Sequence, residues 1–157
     1  DRGTIDALIS EYPQVIPMDA AHGPEHSLEV HLPFLQTVLD DFQLVPIVVG
    51  VCPPRDVEAV INALWGGDET VIIVSSDLSH FHAYGEAQAI DARTTGRIEA
   101  RETTLQGEEA CGAYALNGLL LAAQAHGLHV HTLDVRNSGD TAGDQQRVVG
   151  YGSYALA

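Results

Sequence analysis

The sequence predicts an α/β fold, and three observations carry that prediction. Val71-Ile72-Ile73-Val74 is a run of four β-branched apolar residues, which reads as a strand buried on both faces. Residues 44–49 form a second apolar run of strand length, with Pro46 inside it. Around and between these runs the apolar spacing is helical, the alternation that builds an open α/β sheet. No charge block or Ser/Gly-rich linker divides the 157 residues, so a single domain with one core is expected. The first residue is Asp1 rather than Met, which points to a processing site or a cut through a longer protein.

Taken in order, Thr4 to Tyr12 has helical spacing, with Ile5, Leu8 and Ile9 on one side and Pro13 closing it. Val15-Ile16 is expected as a short strand. From Glu25 or His26 the pattern is helical again: Leu28, Leu32, Leu35 and Leu39 make a core stripe, and Pro33 is expected to kink the helix. Gln43 to Val51 is the second buried strand, and Cys52-Pro53-Pro54 ends it. Asp56 to Trp65 follows as a crossover helix with Val57, Val60, Ile61 and Leu64 inward. After the 71–74 strand come a helix of about Gly85 to Arg101, a polar connector, and a helix from about Ala113 to Ala125 that stops at His126-Gly127. Leu128 to Val135 is an edge strand carrying His129 and His131 on its solvated face. A polar turn at 137–144 leads into a last strand from Arg147 to Tyr154.

Charge excludes several functions. The net charge is −15, and all seven basic residues are arginine. A field of that sign repels nucleic acid and anionic membranes, so neither is expected as a partner. With no lysine there is no P-loop lysine, Schiff-base lysine or Ser–Lys dyad in this chain. Acidic excess without lysine fits a salt-rich cytoplasm, where screening suppresses self-repulsion. No run reaches the ~18 apolar residues of a membrane span and no signal segment is present, so a cytoplasmic location is expected. Cys52 and Cys111 form no disulfide framework.

The chemistry-bearing stretch is Ser75-Ser76-Asp77-Leu78-Ser79-His80, delivered just past the end of the 71–74 run. Ligands of open α/β sheets bind outside the carboxyl ends of strands, which makes this a candidate reaction centre. An exit turn capped by Ser and Asp would have the same composition. Cys111 stands before Gly112 at a helix N-terminus, a position that favours a thiolate ligand or nucleophile. It could equally be a small residue required by packing. His26, Glu29 and His31 either border a pocket or form an exposed pair and a hydrogen-bonded core histidine. His22-Gly23-Pro24-Glu25-His26 matches the H-x-x-E-H zinc-peptidase pattern in letters only, because Gly-Pro breaks the helix that both histidines would need. Gly66-Gly67-Asp68-Glu69 is a helix stop and turn.

Four segments together resemble the Memo family, the second component of the AmmeMemoRadiSam set. They are Glu25-His26-Ser27-Leu28-Glu29-Val30-His31-Leu32-Pro33, Ser75 to His80, Ala110-Cys111-Gly112, and Asn137-Ser138-Gly139-Asp140 through Gly150-Tyr151. The resemblance implies a three-layer α/β/α sandwich with a mixed, mostly parallel central sheet, similar to the class III extradiol (LigB-type) dioxygenases. It implies catalytic roles for His80, as acid/base, and for Asp77 beside it, with Cys111 as a metal ligand. The implied cofactor is iron (Fe2+), or copper. The implied activity is redox chemistry on a small-molecule substrate. Two alternatives remain: a partner protein of a radical-SAM system that uses the same pocket, and a metal-dependent hydrolase. Family members begin with about a hundred further residues (domain sizes vary widely), carrying Pro-His-Ala-Gly and Gly-Pro-Ser-His segments whose histidines supply two more ligands. Neither segment occurs here, so the chain resembles the C-terminal part of such a protein and is expected to retain metal poorly alone.

Overall fold

The computed structural model describes residues 1–141 and 143–157, so Ala142 of the polar turn expected at 137–144 lies outside the described residues. The chain divides into two compact units, Asp1–Gly50 and Val51–Ala157.

In the first unit, α1 (Arg2–Glu11) starts where Asp1 caps it: the Asp1 carboxylate accepts from the Thr4 N–H at 3.0 Å and from the Thr4 hydroxyl at 2.9 Å. The Tyr12 N–H closes it on the Leu8 carbonyl. Val15-Ile16 forms no strand; the Val15 N–H turns back to the Tyr12 carbonyl instead. A short α2 (Asp19–His22) follows. The single kinked helix expected from residue 25 is replaced by a 3-10 turn at Glu29–His31 running into α3 (Leu32–Val38). Pro33 lies in the first turn of α3, where its missing N–H costs nothing, so the proline restarts the helix rather than bending it. The leucine stripe has the expected spacing, yet Leu28, Leu32 and Leu35 are only half-buried and Leu39 is exposed. Only Leu8 is fully buried here, because fifty residues provide little surface to cover a second apolar face. The apolar run at 44–49 enters no strand ladder among the described residues.

The second unit holds the sheet and the main core. Pro54 opens α4 (Pro54–Ala63) at a position that requires no N–H, and Val60 and Ile61 are its buried face. It packs on α6 (Ala113–Ala125) at close range: a Cβ on Gly118 would lie 2.3 Å from the Val57 Cβ. Where α6 ends, the His126 ring stacks on Trp65 with centroids 3.8 Å apart, and Gly127 takes the left-handed conformation that stops the helix. Helix α5 (Tyr84–Glu99) buries Ala87, Asp91, Thr94 and Ile98, one stripe at helical spacing. Leu78, Ile98, Leu105, Ala110, Ala113, Leu116 and Leu120 form the core cluster.

The sheet contains β1 (His80–His82), β2 (Val130–Asn137) and β3 (Val148–Leu156), all antiparallel in the order β1-β3-β2. His129 and His131 are exposed on or beside β2, at the sheet edge, as their alternation predicts. The chain is therefore mixed α and β. The 71–74 run forms no ladder among the described residues, and Val71 and Ile73 are 71% and 46% exposed. An apolar run has the composition of a buried strand, but a ladder also needs a neighbouring backbone to pair with. Pairing begins just beyond the run: the Leu78 N–H donates to the Gly150 carbonyl, and the Gly150 N–H donates to the Ser79 carbonyl, each at 2.8 Å. No helix among the described residues is long and apolar enough to cross a membrane.

Two polar anchors hold the connector between α5 and α6. The Arg97 guanidinium bonds Glu102 at 2.7 Å and Glu109 at 2.5 Å. The buried Asn117 amide closes both ways on the Leu105 backbone, accepting its N–H at 2.9 Å and donating to its carbonyl at 3.0 Å. Replacing Asn117 by Ala strands two buried backbone groups, so Asn117→Ala is expected to cost about 2 kcal/mol in a urea melt. A loss below about 0.5 kcal/mol would show that water satisfies the groups instead.

Candidate metal centre

Residues 76–77 and 111–112 are knitted together by their own polar atoms. The Asp77 N–H donates to Cys111 Sγ at 3.2 Å, and the Cys111 N–H returns to the Asp77 carbonyl at 3.2 Å. Ser76 Oγ accepts the Gly112 N–H at 2.9 Å and donates to the Asp77 carbonyl at 2.8 Å. Gly112 permits this approach, since a Cβ there would lie 2.7 Å from the Ser75 carbonyl oxygen and 2.8 Å from Ser76 Cβ. Gly112 is there for contact, as the packing reading of this pair expects, and the contact leaves the Cys111 thiol exposed beside Asp77.

One turn on, the bonds to Gly150 fix residues 78 and 79, and the Ser79 N–H also donates to Asp91 Oδ1 at 2.9 Å. Asp91 is 2% exposed and holds the segment from below. The chain then places His80 Nε2 3.5 Å from Asp77 Oδ2. One donor atom each of Asp77, His80 and Cys111 lies within 4.8 Å of the others, and Cys111 is exposed, so the trio is open to solvent. A tetrahedral metal with bonds of about 2.0–2.3 Å sets adjacent donors about 3.3–3.8 Å apart. The trio is within about an ångström of that spacing. The sulfur of Cys111 suits a transition metal rather than calcium or magnesium, and the Asp77 carboxylate and His80 imidazole stand beside it.

Around this centre the backbone is strained. Phe81 has φ +63°, a left-handed conformation rare for an aromatic residue, and the β1–β3 register shifts between His80 and His82. Asn137-Ser138-Gly139-Asp140 braces the same end of the sheet. Asp140 accepts the Tyr84 hydroxyl at 2.6 Å and the Asn137 N–H at 2.8 Å, while Ser138 Oγ accepts the Val149 N–H at 3.1 Å. The Asn137 N–H and then the Tyr84 hydroxyl hold the Asp140 carboxyl below its usual range, and the same bond raises the Tyr84 phenol. Burial pushes Glu109 up, but its bonds to Arg97 and to the Gln106 N–H outweigh this and lower it. Depressed carboxylates favour the folded state above their unfolded pKa, and that contribution is lost as pH falls through the lower folded values. The melting temperature is therefore expected to fall as pH drops from 5 towards 3, and Glu109→Gln should flatten the slope. An unchanged slope would remove Glu109 from the explanation.

Other candidates stand apart from this centre. His26 Nδ1 lies 2.8 Å from Glu29 Oε1 with both side chains exposed, so these two form a solvated pair. His31 Nε2 is buried and has no hydrogen-bond partner among the described residues, so the hydrogen-bonded core histidine is not what is found. Cys52 is half-buried, and burial raises its thiol, as suits a small apolar residue. Sequence reasoning missed Asp91, whose position in the Ala87–Ile98 stripe was its one signal, and Phe81, whose backbone carries no composition mark.

The Cys111 thiol, with the Asp77 carboxylate and the His80 imidazole beside it just past the 71–74 run, defines a candidate transition-metal centre on a mixed α/β frame. A family model described as Memo-like protein matches residues 1–155, and the chain belongs to that family. Among its relatives, a MEMO1 family protein of Aeropyrum pernix is 35% identical over 159 residues, covering 92% of this chain and 56% of that protein. A MEMO1 family protein of Sulfolobus acidocaldarius is 32% identical over 157 residues, with coverages of 88% and 54%. One from Archaeoglobus fulgidus is 31% identical over 158 residues, with coverages of 92% and 60%. The chain thus spans little more than half the length of these relatives.

Proposed function

We propose that this chain is the C-terminal part of a Memo-like metalloprotein that carries out redox chemistry at a non-haem iron or copper ion. The observation that carries the reading is the convergence of Asp77, His80 and Cys111 within 4.8 Å. Cys111 would hold the metal, joined by histidines of a preceding family segment. When bound, iron or copper supplies electron transfer and oxygen activation. His80 holds or delivers a proton at Nε2, and Asp77 Oδ2 at 3.5 Å orients and stabilises it. The Asp77 N–H fixes Cys111 Sγ in place. The cysteine favours redox chemistry over hydrolysis, because a soft thiolate selects iron and copper over the hard ions of most hydrolases.

The architecture we propose for the whole protein is an α/β/α sandwich resembling the extradiol dioxygenases, its central sheet completed by strands outside this chain. Two features support it: the apolar runs at 44–49 and 71–74, which carry no ladder among the described residues, and the partial coverage of the relatives.

Anaerobic Fe(II) titration of the full-length protein tests the reading, with His80→Ala alongside. Stoichiometric uptake that His80→Ala retains, with oxygen-dependent turnover lost, is the expected result. Metal lost from His80→Ala would make His80 a ligand instead of a proton carrier. No uptake by the wild type, with undiminished capture of a radical-SAM partner, would leave a binding protein.

A further inference from the structure

We propose that the ligand of this centre carries a carboxylate, and that Arg147, seated on the ring of Phe81, recognises it. The inference deepens the metal-centre reading, because it names the substrate class of the same site.

Consecutive side chains of a regular strand point to opposite faces. His80 and Phe81 do not separate in this way: the left-handed backbone at Phe81 leaves their rings with centroids 5.7 Å apart, inclined at 59°. Such a conformation costs about 1–3 kcal/mol and persists where surrounding structure imposes it, most often at functional sites. What it produces here is an aromatic ring 62% exposed beside the proton-handling histidine. That much apolar surface next to a polar centre is what a ligand's body would cover.

The Arg147 guanidinium carbon lies 4.9 Å from the centre of that ring. Stacking on an aromatic face holds the guanidinium plane and leaves its edge N–H donors free. Among the described residues no acidic side chain is paired with Arg147. In a chain of net charge −15, a guanidinium with no acidic partner beside an exposed aromatic ring is a local positive charge that can attract an anion.

The number of charges selects the anion. One guanidinium offers two parallel N–H donors to one carboxylate. A phosphate dianion would bring towards the Asp77 carboxylate a second charge that the single guanidinium does not pair. The class is therefore a small monocarboxylate with a flat or apolar body to lie against Phe81.

Calorimetric titration of the full-length protein with benzoate, benzamide and inorganic phosphate, in metal-free buffer, tests this. Benzoate is expected to bind, with the ring proton signals of Phe81 and His80 shifting in NMR spectra, and to bind at least ten-fold tighter than benzamide or phosphate. Arg147→Gln should weaken benzoate at least ten-fold and leave the weak benzamide affinity unchanged. Phe81→Leu should weaken both. Equal affinities for benzoate and benzamide, a benzoate affinity untouched by Arg147→Gln, or tighter phosphate binding would each overturn the proposal. Because no metal is present, a failed Fe(II) titration with benzoate recognition intact removes the metal and leaves the carboxylate site standing.

Discussion

Cys111→Ala in the full-length protein is expected to abolish stoichiometric Fe(II) binding, with affinity falling by more than the ~10–100-fold typical of losing an outer partner. Two effects combine. The substitution removes the sulfur donor, and it removes the acceptor of the Asp77 N–H, loosening the backbone that carries Asp77 and His80. Cys111→Ser separates them, because a hydroxyl can still accept that N–H but is a poor ligand for a soft-metal site. Serine should restore the thermal stability lost in the alanine variant without restoring metal. Equal metal content in wild type and both variants would contradict the assignment of Cys111.

The second large effect concerns a residue that touches no ligand. Gly150→Ala is expected to destabilise the chain by about 3 kcal/mol, the upper range for overpacking a filled core. An added Cβ would lie 2.1 Å from Asp91 Oδ2 and 2.6 Å from both Cγ and Oδ1. The buried carboxylate could swing aside, but the Ser79 N–H would then lose its acceptor, at about 1–3 kcal/mol. If Gly150 moved instead, its two bonds to residues 78 and 79 would break, and His80 is next in the chain. A double-mutant cycle with Asp91→Ala isolates the clash. The pair should be less damaging than the sum of the singles, since the carboxylate that collides is gone. Strict additivity would place the damage elsewhere.

Different parts of the molecule were legible for different reasons. Helices α1, α4, α5 and α6 follow from apolar spacing and from stops such as Pro13 and His126-Gly127, which are local signals. The runs at 44–49 and 71–74 show the limit of pattern: hydrophobicity marks a surface to be covered, and does not say what pairs with it. Pro33 was readable as an interruption, but whether a proline kinks a helix or starts one depends on which residue becomes the first turn. At the site, Ser76, Asp77 and His80 stood out as polar residues just past an apolar run, while their meeting with Cys111 was implied by the resemblance to the Memo family. Asp91 was hidden because an aspartate on an Ala-rich helix normally faces water; here Gly150 leaves it room and the Ser79 N–H gives it a partner. The bend at Phe81 is a backbone torsion, and no side-chain pattern encodes it.

The strand order has a consequence for the sequence of events in folding. Strands β2 and β3 are adjacent in the chain and can pair early, whereas β1 joins β3 by matching residue 82 with residue 148. Cys111 meets Asp77 across a separation of 34 residues that contains all of α5. Such distant closures are slow and follow the local ones. The β2–β3 hairpin and the helices therefore come first, and Cys111 joins Asp77 and His80 later. By the same logic, a local opening that frees β1 dismantles the centre while the hairpin stays intact. A newly made chain thus shows the Cys111 thiol before the Asp77 carboxylate and the His80 imidazole are beside it.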